Sequence, residues 1–268
     1  MHPKSVLLVG DLDGTLLNRN GQISSENAQA LQEFMQQGGL FTIATGRDPE
    51  DIMHFFPDSP PNAPLSCFNG SMIYDWETRS EKMRLFLDES ILPLLDSLVE
   101  SDPRRNVEVF RDDGTYIWNP GEGTKKHREV VDFTPTWIDD YHRVPFPWTK
   151  VAFWLSPQEI PALARDVAQA DPEHRWNFLR VHEWSCELLH PRSDKGYTLD
   201  WYREAYPDRT IVTVGDNDND ALMLQRADIS FAPQNAYPSA KAAAGCVLPE
   251  SCDEHIAQAV LRKLANLP

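Results

Sequence analysis

"VLLVGDLDGTLL", residues 6 to 17, is the stretch on which the reading of this chain turns. Four apolar residues, Val6 to Val9, run through Gly10 into two aspartates one leucine apart, Asp11 and Asp13, and then into Gly14-Thr15. A nearly continuous apolar run of this length suits a strand buried on both faces, as in a parallel sheet covered by helices. Asp and Gly are common turn residues, so a polar turn at a strand end is one reading of residues 10–15. The other is that the strand end presents both carboxylates to something cationic.

Similar runs lie at 40–44, 65–68, 211–214 and Ile229–Ala232, and each is expected to be a strand of the same kind. Between the first two strands a helix is expected to begin near Ser24. It would carry Ala28, Leu31 and Met35 on one face and stop at Gly38-Gly39. Strand, helix, strand is the βαβ unit of an α/β, doubly wound parallel sheet.

The middle of the chain has another rhythm. A helix is expected at 88–100, a strand at Val107–Arg111, a turn at Asp113-Gly114 and a strand at 115–118. The stretch 119–149 is too long for a bare loop, so it must hide an element, and 124–133 is the candidate short helix. A strand at 151–155, a helix at Ile160–Ala170 and strands at 176–181 and 185–190 complete an α+β module. Strand-helix alternation then returns. The expected organisation is a sheet domain of residues 1–84 plus 191–268, with 85–190 inserted.

Composition narrows the class. The chain has 268 residues, 41% of them hydrophobic and 25% charged, which suits a globular protein. Its formal charge of −16 disfavours nucleic acid and anionic membranes, which are bound mainly by Lys and Arg. No apolar run approaches the roughly 20 residues of a membrane helix, and the start lacks a signal-peptide pattern, so a cytoplasmic protein is expected. Cys67, Cys186, Cys246 and Cys252 form no CxxC pair and read as reduced thiols, mostly core.

Four stretches put reactive groups at strand ends or helix starts, where ligands sit in open α/β sheets. They are "GDLDGTLL", "TIATGRD", "SDKG" and "VTVGDNDND". If two strand ends lie side by side, Asp11, Asp13, Asp216 and Asp220 pool their charge and demand a cation, and hard oxygen ligands suit Mg²⁺. A calcium EF-hand loop fails the test. Its sixth position needs Gly and its twelfth Glu; counting from Asp11 these are Leu16 and Gln22, and from Asp216 they are Ala221 and Ala227. In "ATGRD", the Thr45 hydroxyl, the N–H groups around Gly46 and a following helix start form a phosphate cradle. Lys195 opens another helical stretch, where an ammonium could hold a phosphate or offset the carboxylates.

In this order, "DLDGTLL" (11–17), "ATGR" (44–47), "NGS" (69–71), "SDKG" (193–196), "GDNDNDALML" (215–224) and "APQNAYPSAKAAA" (232–244) resemble the haloacid dehalogenase superfamily. Within it they resemble the Cof-like phosphatases, whose α+β cap is of the C2B kind. The resemblance implies a Rossmann-like core with 85–190 as the cap that sets substrate specificity. It implies Asp11 as the nucleophile that forms an aspartyl-phosphate and Asp13 as general acid/base. Mg²⁺ would be held by Asp11, the Asp13 carbonyl and Asp216. Thr45, Gly46, Arg47, Asn69, Lys195 and Asn219 would meet the substrate, with Asp220 behind the metal ligands. Asn217 departs from the glycine many relatives carry there, but Asn also tolerates left-handed backbone.

The implied substrate is a small phosphorylated metabolite, most plausibly a sugar phosphate, and the protein a monomer or homodimer. A phosphohexomutase with the same aspartyl-phosphate, or a non-catalytic metabolite-binding protein on this fold, are the alternatives. Trp118, Trp137 and Trp148 read as core and hairpin packing rather than sugar-stacking rings. "GEGTKK" at 121–126 lacks a full phosphate-loop pattern and reads as a loop.

Overall fold

The computed structural model describes residues 1–57, 59–130 and 133–267. In chain order it opens with β1 (Val6–Gly10), α1 (Ser25–Gln36), β2 (Leu40–Ile43), α2 (Pro49–Met53), β3 (Leu65–Cys67), β4 (Met72–Asp75) and β5 (Ser80–Arg84). The middle carries α3 (Leu92–Ser101), β6 (Val107–Arg111), β7 (Gly114–Trp118), α4 (Glu122–Val130), β8 (Thr136–Ile138), β9 (Lys150–Trp154), α5 (Ile160–Ala170), β10 (Asn177–His182) and β11 (Ser185–Leu189). The chain ends with α6 (Lys195–Ala205), β12 (Thr210–Val214), α7 (Ala221–Arg226), β13 (Ile229–Ala232), α8 (Pro238–Ala243), β14 (Cys246–Val247) and α9 (Ile256–Ala265). Two compact units result, Met1–Arg84 with Asp194–Pro268, and Leu85–Ser193.

The first unit is built on a parallel sheet of order β14-β13-β12-β1-β2. Val6 and Leu8 of β1 pack into one apolar cluster with α1 and α9, while Leu7 and Val9 pack into another with Leu199 and Tyr202 of α6. Burial on both faces explains the unbroken apolar run, and each such side chain contributes roughly 1.5–3 kcal/mol. Register sets Gly10 opposite both Val214 and Ile43, so the carboxyl ends of β12, β1 and β2 lie side by side.

Two expectations are corrected here. On α1, whose Ser24 cap accepts the Asn27 N–H, the buried face is Asn27, Leu31 and Phe34; Ala28 is exposed and Met35 only partly buried. Asn27 takes the apolar slot because its Oδ1 accepts the Ala257 N–H at 2.9 Å and ties α1 to α9. The run at 65–68 is a strand but belongs to a separate antiparallel sheet, β3-β4-β5, which meets the end of β2 through a parallel bridge, Ala44↔Ser66. The cause is the backbone of Phe68, Asn69 and Gly70, whose φ values of 50°, 52° and 87° fold the chain straight back into β4.

The second unit is a six-stranded mixed sheet of order β10-β11-β9-β6-β7-β8. Val107, Val109, Val151, Phe153, Cys186 and Leu188 form one apolar core with Leu94, Leu95 and Leu98 of α3 and Leu163 of α5. The long stretch after Asn119 holds α4 and β8, the latter parallel to β7. Residues 121–126 are thus not a loop, since α4 starts at Glu122; Gly123 is required there because a Cβ would strike the Trp154 carbonyl. The candidate helix at 124–133 is matched as far as Val130, while Val131 and Asp132 lie outside the described residues. Trp148 is fully buried core, Trp118 meets Tyr141 edge-on at 5.4 Å, and Trp137 is 53% exposed on β8. All four cysteines are free thiols, and Cys67, Cys186 and Cys252 are buried. Among the described residues no helix is long and apolar enough to cross a membrane.

Candidate active site

The strand ends of the first unit gather most of the sequence-selected residues. Asp11 follows β1, and its N–H donates to the Val214 carbonyl at 2.8 Å, which holds the β1 end against β12. Lys195, the first residue of α6 and 2% exposed, donates to Asp11 Oδ1 and to Asp220 Oδ1, each at 2.7 Å. Asp194 caps that helix by accepting the Gly196 N–H at 2.7 Å, which fixes where the lysine begins. The other oxygen of Asp220 accepts the N–H groups of Asp216 and Asn217 at 3.0 Å. Asp220 therefore shapes the loop after β12 and steers Lys195 at the same time.

Asp216 accepts the Thr15 hydroxyl at 2.7 Å and is 5% exposed. Gly14, with φ of 80°, lets the loop after β1 close on this carboxylate, since a Cβ there would lie 2.6 Å from Asp216 Oδ2. One oxygen each from Asp11, Asp216 and Asp220 lies within 4.8 Å of the others. Three buried carboxylates face one ammonium, which leaves two negative charges uncompensated. Burial, reinforced by Asp220, pushes the Asp11 carboxyl well above the usual carboxylate range and Asp216 up to about 6. Burial pulls Lys195 down, but Asp11 and Asp220 more than offset it, so the ammonium stays charged.

The site residues could hold a divalent cation. Asp220 has both oxygens on protein donors, whereas among the described residues Lys195 donates to one oxygen of Asp11 and Thr15 to one oxygen of Asp216. Hard carboxylate oxygens with a deficit of two charges match Mg²⁺ in kind and in charge.

Asp13 is placed differently. Its side chain is 55% exposed and is gripped by Arg47, whose Nε and one terminal nitrogen donate to the two carboxylate oxygens at 2.8 and 2.7 Å. Arg47 thus pairs with an expected catalytic acid, a contact the sequence did not suggest. Thr45 follows β2 and is held by its N–H to the Ser66 carbonyl and by the Asn69 N–H to its own carbonyl, both 2.9 Å. Asn69 Oδ1 accepts from Asn219 Nδ2 at 3.0 Å, and the backbone of Gly46 lies against the Asn69 amide, 3.1 Å from where a Cβ would sit. Asn219 Oδ1 has no hydrogen-bond partner among the described residues.

Sequence reasoning missed three supports. Thr15 orients Asp216, Asn235 Nδ2 donates to the Gly14 carbonyl at 2.8 Å, and the Tyr237 N–H donates to the Asp216 carbonyl at 2.7 Å. The last two lie in "APQNAYPSAKAAA", a segment visible as a motif but with nothing in it to mark these two residues as supports.

Comparison with known proteins gives this geometry a context. The haloacid dehalogenase-like hydrolase family matches residues 8–260. A 5-amino-6-(5-phospho-D-ribitylamino)uracil phosphatase of Bacillus subtilis is 26% identical over 260 residues, covering 86% of this chain and 88% of its own. A pyridoxal phosphate phosphatase of Escherichia coli is 23% identical over 289 residues, covering 95% and 97%. Among solved structures, a phosphatase of the haloalkanoate enzyme superfamily from Bacteroides thetaiotaomicron superposes with a TM-score of 0.82 at 19% identity, covering 98% of this chain and 96% of that one. The family match takes in both strand ends, the lysine and the acidic loop, and the chain belongs to the haloacid dehalogenase-like hydrolase family.

Proposed function

We propose that this protein is a Mg²⁺-dependent phosphatase that hydrolyses a small phosphorylated metabolite, of which sugar phosphates are the favoured class, through an aspartyl-phosphate on Asp11. The observation that carries the reading is Lys195 bridging Asp11 and Asp220 in a buried site beside Asp216. Such a lysine opposes the burial that raises the Asp11 carboxyl, favouring its ionised form, and offers positive charge where a phosphoryl group arrives. The names of the relatives, phosphatases of a ribityl phosphate and of pyridoxal phosphate, support phosphate-ester chemistry.

In this reading an oxygen of Asp11 attacks phosphorus as Asp13 gives its proton to the departing alcohol. Asp13 then takes a proton from the water that hydrolyses the aspartyl-phosphate. Arg47 holds Asp13 in position through its two-pronged grip. The Thr45 hydroxyl and the Gly46 N–H are assigned to the phosphoryl oxygens, and Asn69 and Asn219 to the wall beside them. When bound by the carboxylates of Asp11 and Asp216 and the carbonyl of Asp13, Mg²⁺ would neutralise phosphate charge. The unit Leu85–Ser193 is assigned the role of a cap that reads the organic part of the substrate.

Phosphate-monoester hydrolysis calls for accelerations of up to about 10²¹-fold, roughly 29 kcal/mol at about 1.36 kcal/mol per decade. No single side chain supplies that, which is why nucleophile, acid, cation and cradle are all required. The test is phosphate release from p-nitrophenyl phosphate and a panel of phosphorylated metabolites, with Mg²⁺ or EDTA, by the native protein and Asp11→Asn. Release that needs both Mg²⁺ and Asp11 is expected. Release indifferent to either would overturn the reading, and an isomerised sugar phosphate in place of free phosphate would mean a mutase.

A further inference from the structure

The segment "APQNAYPSAKAAA", residues 232–244, contributes none of the groups assigned to the chemistry of the site. It leaves the end of β13 and is held by backbone hydrogen bonds. The Leu248 N–H donates to the Ala232 carbonyl and the Gln234 N–H to the Glu250 carbonyl, each at 2.8 Å, and the Ala236 N–H donates to the Pro233 carbonyl at 3.0 Å. Ala236 is buried with Leu224, Ala232 and Ala240 in a small apolar cluster. The segment is therefore a fixed frame beside the ends of β12 and β13.

From that frame two groups reach into the loops of the site. The Tyr237 N–H donates to the Asp216 carbonyl at 2.7 Å. Asn235 uses both ends of its amide: Nδ2 donates to the Gly14 carbonyl at 2.8 Å, and Oδ1 accepts the Cys252 N–H at 2.7 Å. A backbone N–H can only donate and a carbonyl can only accept, so the amide has a single orientation that satisfies both partners. One side chain thus ties the loop after β1 to the segment that leads into α9.

The Gly14 carbonyl is a consequential place for such a tie. Residue 14 has a φ of 80° and a Cβ there would lie 2.6 Å from Asp216 Oδ2, so the loop needs glycine. Glycine is also the residue with the most backbone freedom. Rotation about its backbone bonds would swing the adjoining Asp13 carbonyl relative to the carboxylates of Asp11 and Asp216, and these are the three groups assigned to Mg²⁺. A cation that demands near-ideal octahedral geometry tolerates little scatter among its ligands. We infer that Asn235 is a positioning residue for the metal: by tethering the Gly14 carbonyl to the frame at 232–244, it fixes the direction of the Asp13 carbonyl and sets the affinity of the site for a divalent cation. The inference rests on the Mg²⁺-dependent phosphatase reading and deepens it, since it adds a residue that is neither a metal ligand nor a substrate contact in that reading.

The test is the Mg²⁺ dissociation constant of the full chain, read by calorimetric titration without substrate, beside the Mg²⁺ dependence of p-nitrophenyl phosphate hydrolysis. Asn235→Asp keeps an acceptor for the Cys252 N–H but sets an oxygen against the Gly14 carbonyl in place of the donor. Added negative charge alone would tighten cation binding, whereas lost positioning weakens it. The dissociation constant should rise by about 10-fold or more, the usual effect of removing a group that orients a metal ligand. Saturating Mg²⁺ should restore most of kcat. Asn235→Leu removes both bonds without adding charge and should show the same rise; if it does not fold, Asn235→Asp decides. Asn27→Ala is the control, because it removes a comparable bond to the Ala257 N–H between α1 and α9. It should lower the melting temperature and leave the Mg²⁺ constant unchanged. An unchanged or lower dissociation constant in Asn235→Asp, or an equal rise in Asn27→Ala, overturns the inference while leaving the phosphatase reading in place. A native protein that binds no Mg²⁺ overturns the metal-dependent reading itself, and this inference with it.

Discussion

Replacing Asp216 by asparagine should make the metal-free protein more stable while abolishing its activity. The carboxyl is buried with Asp11 and Asp220, and its folded pKa of about 6 lies about two units above the ordinary 3.8. At about 1.36 kcal/mol per unit, carrying the charge at neutral pH costs about 3 kcal/mol. The sign follows from proton counting. Between roughly pH 4 and pH 6 the folded chain binds more protons than the unfolded one, so stability falls as pH rises through that window and stays lost above it. Asp216→Asn removes the charge but keeps an oxygen to accept the Thr15 hydroxyl, and its amide brings a donor into a site rich in acceptors.

In EDTA at pH 7.5, calorimetry should show the transition of the unit carrying the site rising by roughly 6–12 °C, from about 2–4 °C per kcal/mol. At pH 4.5, where the native carboxyl is already protonated, the advantage should vanish. Mg²⁺ at about 100 times its dissociation constant adds about 2.7 kcal/mol to the native protein and should nearly close the gap. A variant that is less stable than the native protein in EDTA at pH 7.5, or a gap that does not change with pH, would overturn this charge balance.

Other consequences rest on single contacts. Arg47→Lys cannot reproduce the two-pronged grip on Asp13, and kcat/KM for phosphate release should fall about 10–100-fold while the melting temperature barely moves, because the pair is solvent-exposed. Equal activity in Arg47→Lys would remove Arg47 from the mechanism. Gly70→Ala forces a Cβ onto a φ of 87° and to 2.4 Å from the Asp194 carbonyl oxygen. It should cost about 3 kcal/mol in denaturant unfolding and disturb the helix start that carries Lys195. Lys195→Met leaves Asp11 and Asp220 without their shared cation, and phosphate release should fall by about 10³-fold or more.

The legibility of each element in the sequence depends on the physics of its signal. Strands buried on both faces announce themselves as apolar runs, so β1, β12 and β13 were legible almost to the residue. The hairpin β4–β5 was not, because β5 reads Ser-Glu-Lys-Met-Arg and lies half in solvent, where nothing enforces an apolar pattern. On α1, a side-chain hydrogen bond across to α9 replaced hydrophobic contact at Asn27, which a periodicity reading cannot foresee. Helix α4 was obscured by its polar sequence and by glycine at 121 and 123, the second needed for close packing on β9.

The candidate site divides in the same way. Asp11 and Asp216 follow strand runs paired in register, so their meeting is a consequence of sheet order. The grip of Arg47 on Asp13 and the double contact of Lys195 are tertiary, set by where α6 and the β2 loop begin, and no spacing along the chain encodes them.

The proposed mechanism stands or falls on covalent phosphorylation of Asp11. Quenching the Mg²⁺-loaded enzyme in turnover with acid, reducing the acyl phosphate with borohydride and mapping peptides by mass spectrometry reads this directly. Reduction of residue 11 alone to homoserine, dependent on both substrate and Mg²⁺, is the expected result. Steady phosphate release with an unmodified Asp11, or with another residue trapped in its place, would rule the mechanism out.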